Sequence, residues 1–325
     1  MAILNRPALR ARGAAAAEGC RIETRRLVLI YCGVIALLTL GSNGLHLYLD
    51  SHIGSTGGLS GMGMRSALET IQTVLGYINL FFGPFWTAGF LYAMLVMVRG
   101  QEPGTGDLME GFRRFGRVLG QLAFQFLIMM VVVIAVVNVA AVIFTFTPMM
   151  ADFVEKMEPL LSDPEVFSAD GQLDLSRIPM ETLLSASMPL LILTAVLLIP
   201  VWIWLTYSLR MALYLVMVWP IGGIRACIES MRLMRGHRWQ MFRLDLSFWW
   251  YHGLGVLIGM VVYLDVILAM LGIPLPMDAT MMYFLALCAY CVLQTGLFLW
   301  KKCQVDATYV LAYEAIAHPD PVECE

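Results

Sequence analysis

Long charge-free stretches recur along the chain at lengths suited to a lipid bilayer. Leu27 to Leu49 carries no formal charge, Thr70 to Val98 lies between Glu69 and Arg99, and Val118 to Ala151 lies between Arg117 and Asp152. Thr182 to Leu209 ends at Arg210, Leu246 to Leu264 sits between Asp245 and Asp265, and Ala279 to Trp300 sits between Asp278 and Lys301. A helix rises about 1.5 Å per residue, so about 20 apolar residues cross a 30 Å hydrocarbon core with every backbone group bonded inside the helix. The pattern predicts an all-α fold of six transmembrane helices. The third run is overlong, and Pro148 marks its exit; Gly83-Pro84 allows a kink in the second.

Between the runs, two stretches read as short amphipathic helices on the cytoplasmic surface. In Asp107 to Leu119, the apolar Leu108, Phe112, Phe115 and Leu119 share a face, with Glu110, Arg113, Arg114 and Arg117 on the others. In Ile224 to Met234, the apolar face is Ile224, Cys227, Ile228 and Met231, opposed by Arg225, Glu229 and Arg232. Span, surface helix and span occur in that order twice, the pattern of an internal duplication.

Composition agrees with the pattern. Hydrophobic residues make up 59% of the 325 and charged residues only 14%, with a mean hydropathy of +0.75. Soluble domains average about 25% charged, so a water-soluble globular protein is excluded. A net charge of -3 gives no support for nucleic-acid binding.

The placement of charge orients the spans. Under the positive-inside rule, Arg6, Arg10, Arg12, Arg21, Arg25 and Arg26 put the N-terminus in the cytoplasm, and alternation puts 17 of the 21 Lys and Arg on that side. Only Arg65, Lys156 and Arg177 then face out, with Arg210 at a boundary. The expected organisation is a basic cytoplasmic segment (1–26), a six-span domain (27–300) and a cytoplasmic tail (301–325), in a bacterial plasma membrane. The first run is 23 residues without a clear small-residue cleavage site, so it reads as an uncleaved anchor. Cys20 lacks the preceding apolar stretch of a lipidation site. Outside, Asp152 to Glu181 forms an acidic loop that reads as solvated surface without calcium-loop spacing, and Gly54 to Gly63 reads as a flexible connector.

The most distinctive stretch is Glu229-Ser230-Met231-Arg232-Leu233-Met234-Arg235-Gly236-His237, continuing through Phe242-Arg243-Leu244-Asp245-Leu246-Ser247-Phe248. Gly89-Phe90-Leu91-Tyr92 with Arg99-Gly100, Asp107-Leu108 and Gly111-Phe112 accompanies it, as does Ala307-Thr308-Tyr309 with Ala312-Tyr313-Glu314. Together these resemble the bacterial integral membrane family called domain-of-unknown-function family 975, over about residues 70 to 317. His237 and the long acidic loop depart from the family's usual pattern. The resemblance implies a polytopic membrane protein and carries no assigned activity.

Chemical signatures are sparse. There is no His-Glu-x-x-His, no phosphate-binding Gly-x-x-x-x-Gly-Lys and no Gly-x-Ser-x-Gly, and no metal or cofactor is expected. Cys288 and Cys291 form a Cys-x-x-Cys inside the sixth run and read as packing residues; His252 reads as satisfied by a neighbouring helix. Gly255 and Gly259 are spaced for a close helix contact, within the chain or between copies. Asn138 is the main deep polar residue, which argues against an ion-coupled pump.

The favoured function is a non-enzymatic transporter-like, lipid-handling or accessory module. Its partners would be membrane lipids, with anionic headgroups on Arg113, Arg114, Arg117, Arg225, Arg232 and Arg235, and a protein in the membrane. Two alternatives are a headgroup-acting enzyme using Asp245, His237 and Ser230, and a structural subunit of a membrane complex. Gly236 and Ser247 complete the set of candidate motif residues. Arg210 and Asp245 fall near one boundary, where they either pair or act apart, Arg210 toward phosphate and Asp245 as a helix cap.

Overall fold

The computed structural model describes residues 5–53, 59–161, 180–271 and 279–317, and among these every regular element is helical. In chain order they are α1 (Arg6–Gly19), α2 (Arg21–Ile53), α3 (Leu59–Val98), α4 (Glu110–Arg113), α5 (Phe115–Thr145), α6 (Pro148–Leu161) and α7 (Met180–Leu209). There follow α8 (Ala212–Val218), α9 (Gly223–Leu233), α10 (Arg238–Leu246), α11 (Trp249–Met260), α12 (Leu264–Met270), α13 (Ala279–Leu297) and α14 (Cys303–Ala317). Five helices are long and apolar enough to cross a membrane, six if α10 and α11, bent by 67° at Ser247-Phe248, form one broken span. This is the construction of a membrane protein. Residues 54–58 of the expected connector, 162–179 of the acidic loop, and Asp278 lie outside the described residues.

Several boundaries follow from local chemistry. Asn5 caps α1, its Oδ1 accepting from the Ala8 amide at 3.4 Å, and Pro7 occupies the first turn, where no amide is needed. Pro148 opens α6 in the same way after α5 stops at Thr145, so the third run ends where expected. Residues 59–63 already belong to α3 and residues 152–161 to α6, so part of each expected outside segment is helical.

The chain divides into two compact units, residues 1–121 with 211–325, and residues 122–210. In the first, α14 is the central element. Val305, Ala307 to Tyr313 and Ile316 are buried, covering all its sides, with α1 and α3 packed against it. Tyr313 stacks on Tyr214 of α8 at 5.2 Å between ring centroids. Burial on all its sides makes α14 the core of this unit. The stretch expected as a tail after Trp300 is helical as far as Ala317, joined to α13 through a π-helical turn at Phe298–Lys302.

The stretch from Asp107 to Leu119 is not one surface helix. A 3₁₀ turn (Thr105–Met109) and α4 fold back onto α3, and the helix is broken at Arg114 before α5 begins. Leu108 is buried, and Phe112 meets Phe82 and Phe85 at 5.0 and 5.6 Å between centroids. The approach is close because Gly89 and Gly111 have no side chains there. A Cβ on Gly89 would stand 1.9 Å from the Leu108 carbonyl oxygen, and one on Gly111 2.0 Å from that of Phe85.

The other expected surface helix forms as α9. Gly223, Ala226, Cys227 and Ser230 are buried, whereas Ile224 and Ile228 are exposed. Small residues let α9 approach the start of α5, where the Cys227 thiol lies 3.8 Å from the Gln121 carbonyl oxygen. The glycine pattern in α11 makes no close backbone contact: Gly255 meets only the tip of Leu297 at 4.0 Å, and Gly259 faces open space.

The second unit holds the remainder of α5 with α6 and α7. Phe144 of α5 meets Phe153 of α6 edge-on at 6.0 Å, and α6 packs on α7.

Candidate functional site

Two chemically distinctive places stand out, both in the first unit. The first surrounds Lys302 at the end of the π-helical turn. Such turns insert an extra residue into the helix and recur at functional positions. The Lys302 ammonium lies 4.8 Å from the ring centroid of Phe298, 4.9 Å from that of Phe90 and 5.3 Å from that of Tyr31. One helical turn on, Asp306 places Oδ2 3.0 Å from the ammonium; the two side chains are 14% and 24% exposed.

The aromatic walls are themselves held in place. The Tyr31 hydroxyl shares a hydrogen bond with Thr87 Oγ1 at 3.1 Å, and the Trp86 indole N–H donates to the Tyr31 carbonyl at 3.2 Å. A buried ammonium is tolerable only with a counter-charge, and ring faces add cation–π attraction. The box therefore ties α2, α3 and the α13–α14 helix at one point. The sequence signal was present in Asp306 four residues after Lys302, followed by apolar positions on every side of the helix.

The second place is the elbow between α4 and α5. Glu110 accepts from Arg113 at 2.8 Å and from Arg114 at 3.3 Å. The hydrogen bond from Arg113, with Arg114 beside it, holds the Glu110 carboxyl below the usual carboxylate range against the opposing effect of burial. Arg114 is used internally, donating to the Met217 carbonyl and lying 5.2 Å over the Tyr92 ring, so it pins the elbow to the end of α8. Arg113, 70% exposed, and the exposed Arg117 are left facing a groove of about 600 Å3, whose wall includes Gly116, Val218 and Pro220.

Arg225 and Arg232 belong to a separate groove of about 370 Å3 beside Leu215, Trp219 and Ile221. Glu229 there accepts from Arg232 at 3.5 Å. The Arg235 side chain is exposed and does not line either groove. Of the six arginines expected to meet headgroups, Arg113, Arg114 and Arg117 line the first groove, Arg225 and Arg232 the second and Arg235 neither, and Arg114 is committed to the protein.

The motif residues fall along α9, the turn after it and α10. Ser230 is fully buried and its Oγ accepts from the Met211 amide at 3.1 Å, fixing α9 to the start of α8. Gly236 adopts φ +91°, a left-handed conformation in which a side chain would be strained, and so turns the chain from α9 into α10. His237 Nδ1 lies 3.4 Å from Gln240 Oε1. Asp245 sits in the last turn of α10 with Oδ1 buried, and Ser247 donates to the Leu244 carbonyl at 2.6 Å at the bend before α11. His252 meets the Tyr309 hydroxyl at 3.2 Å, a neighbouring-helix partner as expected. Arg210, just past the end of α7, lies 5.6 Å over the ring of Tyr207 in that helix's last turn.

The family described as Protein of unknown function (DUF975) matches residues 26–317. Neither a curated protein nor a solved structure matches the chain.

Proposed function

The chain belongs to the DUF975 family, and from that premise we propose that it is a non-enzymatic, lipid-handling membrane module that holds anionic headgroups on its cytoplasmic face. The groove at the α4–α5 elbow carries this reading. Arg113 and Arg117 present two guanidinium groups beside Val218 and Pro220, directly where the long apolar part of α5 begins. Guanidinium groups pair with phosphate through parallel hydrogen bonds, and an apolar wall suits the start of an acyl chain. Glu110 balances part of the charge, so the groove is selective for a headgroup without being a diffuse basic patch.

In this reading the bent α10–α11 pair counts as the fifth of six spans, both termini lie in the cytoplasm, and the membrane is a bacterial plasma membrane. The excess of Lys and Arg on one side of that threading supports the orientation. Ser230, whose oxygen receives the Met211 amide, and His237, beside Gln240, have local structural partners, which supports a binding role over headgroup chemistry.

The test is native mass spectrometry of the purified full chain, titrated with phosphatidylglycerol and with phosphatidylcholine. Preferential retention of phosphatidylglycerol is expected, reduced about thirtyfold in Arg113→Gln/Arg117→Gln, from roughly 1 kcal/mol per basic residue. Equal retention of the two lipids, or no effect of the double substitution, overturns the reading. Turnover of the retained lipid would replace it with a headgroup-acting enzyme.

A further inference from the structure

The second compact unit carries a polar group that neither its own packing nor a lipid can satisfy. Asn138 lies about three-quarters of the way along the apolar α5, and its side chain is exposed. One amide hydrogen goes to the Ile134 carbonyl of the same helix at 2.7 Å, which leaves Oδ1 and the second N–H without partners among the described residues. The buried positions of this stretch, Ala140 and Phe144, lie roughly 200° and 240° around the helix from Asn138, so the unit's own packing is on another side. Exposed Leu or Val beside a bilayer needs no explanation, because lipid is as apolar as they are. An exposed carboxamide does, since hydrocarbon offers it nothing.

The neighbours of Asn138 supply a register. Leu127, Val131, Ile134, Asn138, Ala141 and Thr145 are all exposed and are spaced alternately four and three residues apart. That is the seam of a left-handed helix pair, with the single Asn at a position where it fixes partner and register. The seam runs about 27 Å, close to the thickness of the hydrocarbon core. It carries no charge, and a carboxamide both donates and accepts, so two copies of Asn138 across a twofold axis satisfy each other with no other group. We propose that the Leu127–Thr145 face of α5 is the interface of a homodimer in the membrane, with Asn138 paired to the same residue of the second copy.

Two measurements on the full chain test this. In a cysteine-free background, Ile134→Cys, which keeps Asn138, should form an interchain disulfide on mild oxidation in native membranes, and Ala140→Cys should not. Subunit counting by single-molecule photobleaching in lipid vesicles should find two copies at densities where Asn138→Leu shows a dimer fraction about three- to tenfold lower, and Asn138→Gln should retain the dimer. Monomeric wild type, equal cross-linking at Ala140→Cys, cross-linking of Ile134→Cys to a different protein, or undiminished dimer in Asn138→Leu would each overturn the proposal.

Discussion

Arg99 Nε lies 3.1 Å from Glu314 Oε1 and joins the end of α3 to the last turn of α14. Their separation is nearly that of Lys302 and Asp306, yet the side chains are 48% and 28% exposed, so solvent screens them. The two pairs should therefore differ in worth although their geometry is alike. Arg99→Ala should lower stability by at most about 1 kcal/mol, and less in high salt. Lys302→Met leaves Asp306 without its counter-charge inside the aromatic box and should cost about 3 kcal/mol or more. Lys302→Met/Asp306→Leu should recover most of that loss. Thermal unfolding of the four proteins in one detergent checks the order, and equal losses for Arg99→Ala and Lys302→Met would refute it.

Glu110 sets how much positive charge the α4–α5 elbow presents. Its carboxyl is held below the usual range, so the associated stabilisation is present above the ordinary carboxylate pKa and is lost as pH falls through the lowered value. Glu110→Gln imitates that protonated state at neutral pH. It should loosen the elbow while releasing Arg113, raising phosphatidylglycerol retention by up to about fivefold. Weaker retention would mean that Glu110 is needed chiefly to shape the groove.

Glycine substitutions in α3 should have opposite signs at two positions. Gly89→Ala drives a methyl group into the Leu108 carbonyl and should separate the 3₁₀ turn from α3, at a cost of at least about 2 kcal/mol. Gly76 has open space around it, and Gly76→Ala should stabilise by up to about 1 kcal/mol through helix propensity. Thermal unfolding reads both directly.

Burial pushes the Cys227 thiol up to about 11. At pH 7.5 it should remain unmodified by a maleimide while the folded protein is intact, and react once detergent unfolds α9. Mass mapping of the labelled sites follows this, and early labelling of Cys227 would place α9 away from Gln121.

The membrane architecture was legible because hydrocarbon tolerates only a fully bonded backbone, which forces long uncharged helices. The sides of those helices were harder to read. Periodicity marks Ile224 and Ile228 as an apolar stripe without saying whether lipid or protein covers it, and it is the small Gly223, Ala226 and Ser230 that face the protein. The same ambiguity hid α14. Lys301 and Lys302 read as the end of a span because a lysine is usually drawn to water, whereas Lys302 is held in an aromatic box with Asp306 one turn away. The elbow escaped periodicity for a different reason: its break at Arg114 follows from a long-range bond to the Met217 carbonyl. Ser230 and Gly236 were visible as motif residues, and their roles as an amide acceptor and a left-handed turn needed three dimensions.

The packing of α1 on α14 imposes an order in time. Leu9 and Gly13 are buried against a helix whose Thr308 is made about 300 residues later. At roughly 5 to 20 residues per second, the ribosome needs about 15 to 60 s to supply that partner. Helix α1 therefore waits for its partner, and this contact closes only after α14 has been made. A chain halted after Leu297 would leave α1 without its main partner and expose the Leu9 and Gly13 side that α14 otherwise covers.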